Sequence, residues 1–340
     1  MRYPKFIQPG EKIGFVAPAF GCNMEPYHSA FLNAIKTFEE KGFGAHLGPN
    51  CFEGKGIGIS NSPKACGDEL NEWYASGENA ALISCGGGET MCEVVPFIDF
   101  DNLKEAEPKW FMGYSDNTNF TFLSATLMDT AAIYGPCAAA FGMEPWHPAI
   151  EDAFELLQGK IDTVSGYGKW EKESLKDAEH PLAPYNVTEE SHIIRVPDQD
   201  VTITGRLLGG CLDILQMYPG TPYDKVKVFN EKYKEDGIIW FLESCDLNIM
   251  SIRRALWQLK EAGWFTNVKA FLIGRPLCHG SEMFGCDQYQ AVTDLLGEYD
   301  VPILMDLDIG HIAPMMPLIC GATAEVEVKN EEISIHYTYK

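Results

Sequence analysis

The 340-residue chain has no run of Lys and Arg long enough to form a basic patch, no apolar stretch of membrane length, no C-x-x-C pair and no internal repeat. Each absence removes a class of function. Only 26 Lys and Arg stand against 49 Asp and Glu, a formal net charge of -23. A surface that is negative on average repels phosphate backbones and anionic headgroups, so neither nucleic acid nor a membrane is expected as a partner. The longest apolar runs, such as Ile238-Ile239-Trp240-Phe241-Leu242, are of strand length, far short of the ~20 residues of a spanning helix. Pro9, Gly10, Glu11 and Lys12 interrupt the N-terminus before its first apolar stretch, so no secretory leader is expected and the protein is read as soluble and cytoplasmic. Eleven cysteines without paired spacing write neither a disulfide framework nor a zinc ribbon, and most are read as buried thiols.

What is present is an apolar, aromatic-rich chain with 22% charged residues, too hydrophobic to be disordered. Its length predicts about two domains. Strand-like and helix-like segments alternate in the first half. Lys12 to Pro18 reads as a strand and Ser29 to Lys41 as a helix stopped by Gly42. Ala80 to Cys85 is a strand ending at Gly86-Gly87-Gly88, and Lys109 to Gly113 a strand that runs into a helix from Asn117 to Met128. Such alternation predicts an α/β fold with a mostly parallel sheet, whose ligands sit beyond the carboxyl ends of the strands. Residues 166–204 are polar and proline-bearing and read as a linker or substrate-loop excursion. They divide an N-terminal parallel-sheet α/β domain, 1–165, from a smaller C-terminal α/β domain, 205–340. The latter closes on an alternating, strand-rich stretch, Ala322 to Val328 and Glu332 to Tyr339.

The strongest local feature is Gly113-Tyr114-Ser115-Asp116-Asn117-Thr118, where an apolar strand meets a helix. This context lifts a serine onto a sharp turn and leaves the following N–H groups open to a developing oxyanion. It is similar to the G-x-S-x-G elbow, with Asn117 in place of the second glycine. A helix cap from Ser115, Asp116 or Asn117 is the plain alternative. The glycine loop Gly86-Gly87-Gly88-Glu89-Thr90 can turn backbone N–H groups toward a phosphate or an oxyanion, or can simply be a tight turn. A serine needs a base oriented by a carboxylate. Two histidines follow strand ends, His311 in Asp308-Ile309-Gly310-His311 and His279 in Gly274-Arg275-Pro276-Leu277-Cys278-His279. Glu243 closes the apolar strand Ile238 to Leu242. Cys245 and Cys85 adjoin strand ends as well and offer thiol nucleophiles. A non-catalytic cleft for small peptides or nucleotides is the reading from outside the enzymes.

Taken in order, the Gly113 to Thr118 elbow, the Phe241-Leu242-Glu243 strand end and Asp308-Ile309-Gly310-His311 with Pro314 resemble the LD-carboxypeptidase family of serine peptidases. That family includes muramoyltetrapeptide carboxypeptidases and microcin C self-immunity peptidases. Val16-Ala17-Pro18 and Gly205 to Gly210 support the likeness, which spans nearly the whole chain. It implies a metal-free, cofactor-free hydrolase that releases a terminal D-amino acid from an L-centre through acyl transfer to serine, usually as a homodimer. Ser115 is the implied nucleophile, His311 the general base and acid, and Glu243 the residue orienting His311. The implied oxyanion hole is the Asp116 N–H with that of Gly87 or Gly88. Asn117-Thr118 and the long excursion lean toward the microcin-immunity branch, where an aromatic in the excursion stacks on a nucleobase. Trp170 and Tyr185 are the candidates here. Glu89 would put a negative charge near the substrate. A free terminal carboxylate needs a cation, for which Arg206 and Arg275 are candidates, and a chain of this charge needs a local positive pocket to attract it.

Overall fold

The computed structural model describes residues 1–339. The chain forms two compact units, one of residues 1–161 with 173–186 and the other of residues 162–172 with 187–340. The polar stretch is thus divided, with 173–186 packing in the first unit and its flanks in the second.

In the first unit the strands are β1 (Lys12–Val16), β2 (Gly44–Leu47), β3 (Asn79–Ser84), β4 (Trp110–Gly113) and β5 (Ala132–Tyr134). All pair in parallel in the order β2-β1-β3-β4-β5. The helices are α1 (Tyr27–Glu40), α2 (Pro63–Ala75), α3 (Phe100–Glu105), α4 (Thr118–Met128) and α5 (Pro148–Leu157). The strand order reverses between β1 and β3, and in open α/β sheets the crevice at such a reversal receives the ligand. The loops after β1 and β3 occupy that place here. Strands buried on both faces read as continuous apolar runs, which is why β3 and β4 were visible in the sequence. Phe38 of α1 anchors the helical layer, its ring 5.7 Å from Phe15, 5.1 Å from Phe141 and 5.4 Å from Phe154. Aromatic pairs at these separations add about 0.5–1.5 kcal/mol each beyond area burial. The α4 helix is buried along most of its length, so it has no polar face to betray its phase.

The second unit holds β6 (Thr163–Ser165), β7 (Lys169–Glu171), β8 (Val187–Glu190), β9 (Ile194–Val196), β10 (Val201–Cys211), β11 (Ile238–Glu243) and β12 (Val268–Gly274). After these come the short strands β13 (Glu282–Met283) and β14 (Cys286–Asp287), then β15 (Ile303–Leu307), β16 (Leu318–Cys320), β17 (Thr323–Lys329) and β18 (Glu332–Thr338). The large sheet runs β6-β18-β17-β10-β11-β12-β15-β9. Its centre, β10 through β15, is parallel, and β17, β18, β6 and β9 pair antiparallel at the sides. Helices α6 (Leu212–Leu215), α7 (Val226–Lys232), α8 (Ile249–Glu261) and α9 (Gln288–Leu296) complete the unit. Trp240, Trp264, Phe265 and Phe271 form its aromatic core. Glu243, Arg275 and Asp308 all lie at the carboxyl ends of the parallel strands. β10 continues through Gly209-Gly210 to Cys211. The excursion is not featureless, because β7 and β8 pair as an antiparallel hairpin.

Candidate active site

In the first unit, buried β4 delivers the chain to Ser115, whose φ of 62° lies in the left-handed region. For a serine this costs roughly 1–2 kcal/mol, and strain of this kind at a strand-to-helix turn exposes a side chain at a functional centre. One turn of 3-10 helix, Ser115–Asn117, then feeds α4. The Ser115 amide donates to Tyr134 Oη at 3.2 Å. Gly87 lies against the serine: a Cβ on it would come within 3.1 Å of Ser115 Cβ and 3.2 Å of Oγ. Among the described residues no acceptor takes the Gly87 amide, which suits a donor held for an oxyanion.

The two residues after the serine fasten the glycine loop to the elbow. Asp116, 1% exposed, accepts from the Met91 amide at 2.8 Å and from Asn119 Nδ2 at 2.9 Å. Asn117 Nδ2 donates to the Gly86 carbonyl at 2.9 Å and the Tyr114 carbonyl at 3.0 Å. This gives Asn117 a purpose that glycine in the related elbow could not serve. Burial, reinforced by the charge of Glu89, raises the Asp116 carboxyl to about 7 against the pull of its hydrogen-bond donors. Glu89 itself is exposed, with its amide bonded to the Gly58 carbonyl. Tyr185 packs its ring 5.4 Å from His147. Cys85 is fully buried, and burial, followed by contacts with Cys22 and Cys51, drives its thiol well above the usual range. Such a thiol is protonated and inert, which removes Cys85 as a nucleophile.

In the second unit, Glu243 closes β11, and its Oε2 accepts from His311 Nδ1 at 2.8 Å. With a carboxylate on Nδ1, the proton of the neutral imidazole is held on that nitrogen. The turn before the histidine is possible only with glycine: Gly310 has φ 101°, and a Cβ there would lie 2.4 Å from Glu243 Oε2. Cys245, half-buried, also hydrogen-bonds His311. Asp213 holds the Cys245 loop by accepting from the Cys245 amide at 3.0 Å and the Asp246 amide at 2.9 Å. Burial works to lower the His311 pKa, but the Glu243 charge and the Cys245 and Glu243 hydrogen bonds outweigh it and push it up to about 11.

The rest of the predicted set falls elsewhere. His279 is paired with Asp306, Nε2 to Oδ2 3.5 Å, rather than with Glu243. The Arg275 guanidinium, 2% exposed, donates to Asp308 Oδ1 at 3.2 Å and to the Asp306 carbonyl at 2.8 Å, with Trp170 stacked 4.9 Å over it. Asp308 accepts the Tyr167 amide as well, at 2.7 Å, and burial outweighs Arg275 in raising its carboxyl to about 6. This network ties the base of the β7–β8 hairpin to the segment that carries His311. Trp170 therefore covers an arginine in this structure, and its ring also meets His279 at 5.5 Å. Arg206 is 5% exposed and donates to Asp236 Oδ2 at 2.6 Å and the Gly321 carbonyl at 2.6 Å, with the Tyr233 ring at 3.9 Å. Both arginines are thus held in internal ion pairs. Sequence reasoning missed Tyr134 and the Cys245–His311 contact, because nothing in sequence spacing brings these residues together. Among the described residues no group of three or more His, Cys, Asp or Glu could hold a metal ion, and no helix is long and apolar enough to cross a membrane.

Two family models match the chain: the LD-carboxypeptidase N-terminal domain over residues 13–135 and the LD-carboxypeptidase C-terminal domain over residues 204–326. The chain belongs to the LD-carboxypeptidase family. Its members are peptidases, so this protein is a hydrolase of the serine peptidase class. Among its relatives, the microcin C7 self-immunity protein MccF of Escherichia coli is 26% identical over 97% of this chain and 94% of its own. The murein tetrapeptide carboxypeptidase of Pseudomonas aeruginosa is 24% identical over 93% of each. Among solved structures, an MccF-like protein from Bacillus anthracis superposes with a TM-score of 0.83 at 21% identity, covering 99% of this chain and 100% of that one. MccF in complex with aspartyl sulfamoyl adenosine gives 0.81 at 22%, covering 99% and 98%. These likenesses establish the fold.

Proposed function

We propose that this LD-carboxypeptidase family member is a cytoplasmic, homodimeric L,D-carboxypeptidase of murein-derived peptides that works through Ser115, His311 and Glu243. The observation that carries the reading is Ser115 itself: a serine held at positive φ with a glycine amide loop against its hydroxyl. In the first half-reaction His311 Nε2 takes the Oγ proton as Oγ attacks the carbonyl carbon. The resulting oxyanion is met by the amides of Asp116 and Gly87, each donor contributing about 10²–10³ in rate. His311 returns the proton to the departing amine, and the terminal D-amino acid leaves. Water then repeats the sequence on the acyl-enzyme, again with His311 as base. Glu243 keeps Nδ1–H oriented and offsets the imidazolium charge.

The whole-length match to MccF supports a second reading, an immunity peptidase that cleaves an aminoacyl or peptidyl nucleotide antibiotic. The test is turnover of an L,D-tetrapeptide, read as D-alanine release, beside turnover of aspartyl sulfamoyl adenosine. The proposal expects kcat/KM for the tetrapeptide to exceed that for the nucleotide. The reverse order would transfer the assignment to the second reading, and no turnover of either would overturn both.

A further inference from the structure

Lysine 176 lies in the excursion segment that packs within the first unit. The residue is half-buried, and its Nζ makes one hydrogen bond, to the Ala139 carbonyl at 3.4 Å. The Tyr27 ring centroid is 5.9 Å away. Among the described residues no carboxylate pairs with this ammonium, although the chain holds 49 acids. Burial lowers its pKa. Even a half-buried cation without a counter-ion costs stability, and proteins retain such a cost where a ligand supplies the missing charge.

Its neighbours join it to the elbow by short steps. The Ala139 amide donates to the Cys85 carbonyl at 3.4 Å, and the Cys22 thiol donates to the same carbonyl at 3.6 Å. Cys85 opens the Gly86–Gly87 loop that lies against Ser115. On the other side, Cys137, two residues before Ala139, contacts Asn117 Nδ2 at 3.6 Å, two residues after the serine. The carbonyl that holds the ammonium therefore belongs to a segment, Cys137 to Ala139, that is bonded both to the start of the glycine loop and to the turn after Ser115. The two arginines named from the sequence are held in internal ion pairs.

We propose that the Lys176 ammonium receives the free terminal carboxylate of the substrate, which makes Lys176 the residue that selects peptide acids over peptide amides. The inference rests on the carboxypeptidase reading above. It accounts for how a protein of charge -23 captures an anion: a cation without a carboxylate partner, held by a segment that is bonded to the loops of the elbow. A charge-assisted hydrogen bond of this kind gives about 10- to 100-fold discrimination.

The test measures binding rather than turnover, so that it stands apart from the catalytic assignment. In a Ser115→Ala background, calorimetry compares an L,D-tetrapeptide as free acid and as C-terminal amide, with Lys176 intact, as K176M and as K176R. The expected result is about 10- to 100-fold tighter binding of the acid with Lys176, a ratio near one in K176M and recovery in K176R. K176M should melt no lower than its parent, because no ion pair is lost. An acid-to-amide ratio unchanged in K176M, or no acid preference in the parent, would overturn the inference even if wild-type enzyme hydrolyses the tetrapeptide. Acid preference that depends on Lys176 in a protein without turnover would uphold it while sinking the carboxypeptidase reading.

Discussion

The Ser115 elbow and the His311 turn are built by opposite means. The elbow is held by backbone: a strained φ, a glycine without a Cβ pressed to the hydroxyl, and two polar side chains stitching one loop to the other. The histidine is held by charge, with Glu243 at 2.8 Å and Cys245 beside it. Backbone devices fix where a group is and change little with pH. Charge devices also decide which protonation state it holds. If Ser115 and His311 act as proposed, the serine's region responds to substitution with losses that are uniform across pH, and the histidine's region with shifts along the pH axis.

The largest break should come at the elbow. Ser115→Gly removes the nucleophile and relieves the positive φ. Turnover should fall by about 10⁴–10⁶ at every pH, while thermal denaturation shows a gain of about 1 kcal/mol. Next is Glu243→Gln, which keeps shape and removes charge. The kcat/KM plateau should fall by about 10³–10⁴ from loss of the tautomer-fixing carboxylate. A base must be neutral to act, so the raised His311 pKa places the rising limb of the native pH profile well above the usual imidazole value. Removing the Glu243 charge should move that limb down by about 1–3 units. The smallest effect is Cys245→Ala. It deletes one of the groups that raises His311, so the limb should move in the same direction by less than in Glu243→Gln, with the plateau near the native value. An alkaline move on either substitution would contradict the charge account of this region.

How much of this was legible in the sequence differs between the regions in the same way. Gly113 to Thr118 and the α/β alternation were readable because buried parallel strands are continuous apolar runs and a serine before a helix is a local pattern. Helix α4, expected from Asn117 to Met128, runs from Thr118 to Met128, because the serine turn fixes its start. Helix α5 and strand β2 were not read: each is short, and Pro148 at the first position of α5 resembles a breaker as much as a start. The roles of Asn117 and Gly310 are contacts across loops distant in sequence, which no local periodicity encodes. The arginines named as carboxylate partners are paired internally for a physical reason. In a chain so rich in acids an arginine finds an internal carboxylate, as Arg206 finds Asp236 and Arg275 finds Asp308.

The central claim is that Ser115 is a nucleophile activated by a histidine. It is tested most directly by treating the protein with a sulfonyl fluoride and locating the adduct by peptide mass spectrometry across pH, in native protein and in His311→Ala. The account predicts one adduct on Ser115, forming faster as pH rises through the His311 ionisation and strongly slowed in His311→Ala. An unmodified Ser115 in protein that turns over its substrate, or an adduct at Cys245 that abolishes turnover while Ser115 stays free, would contradict it.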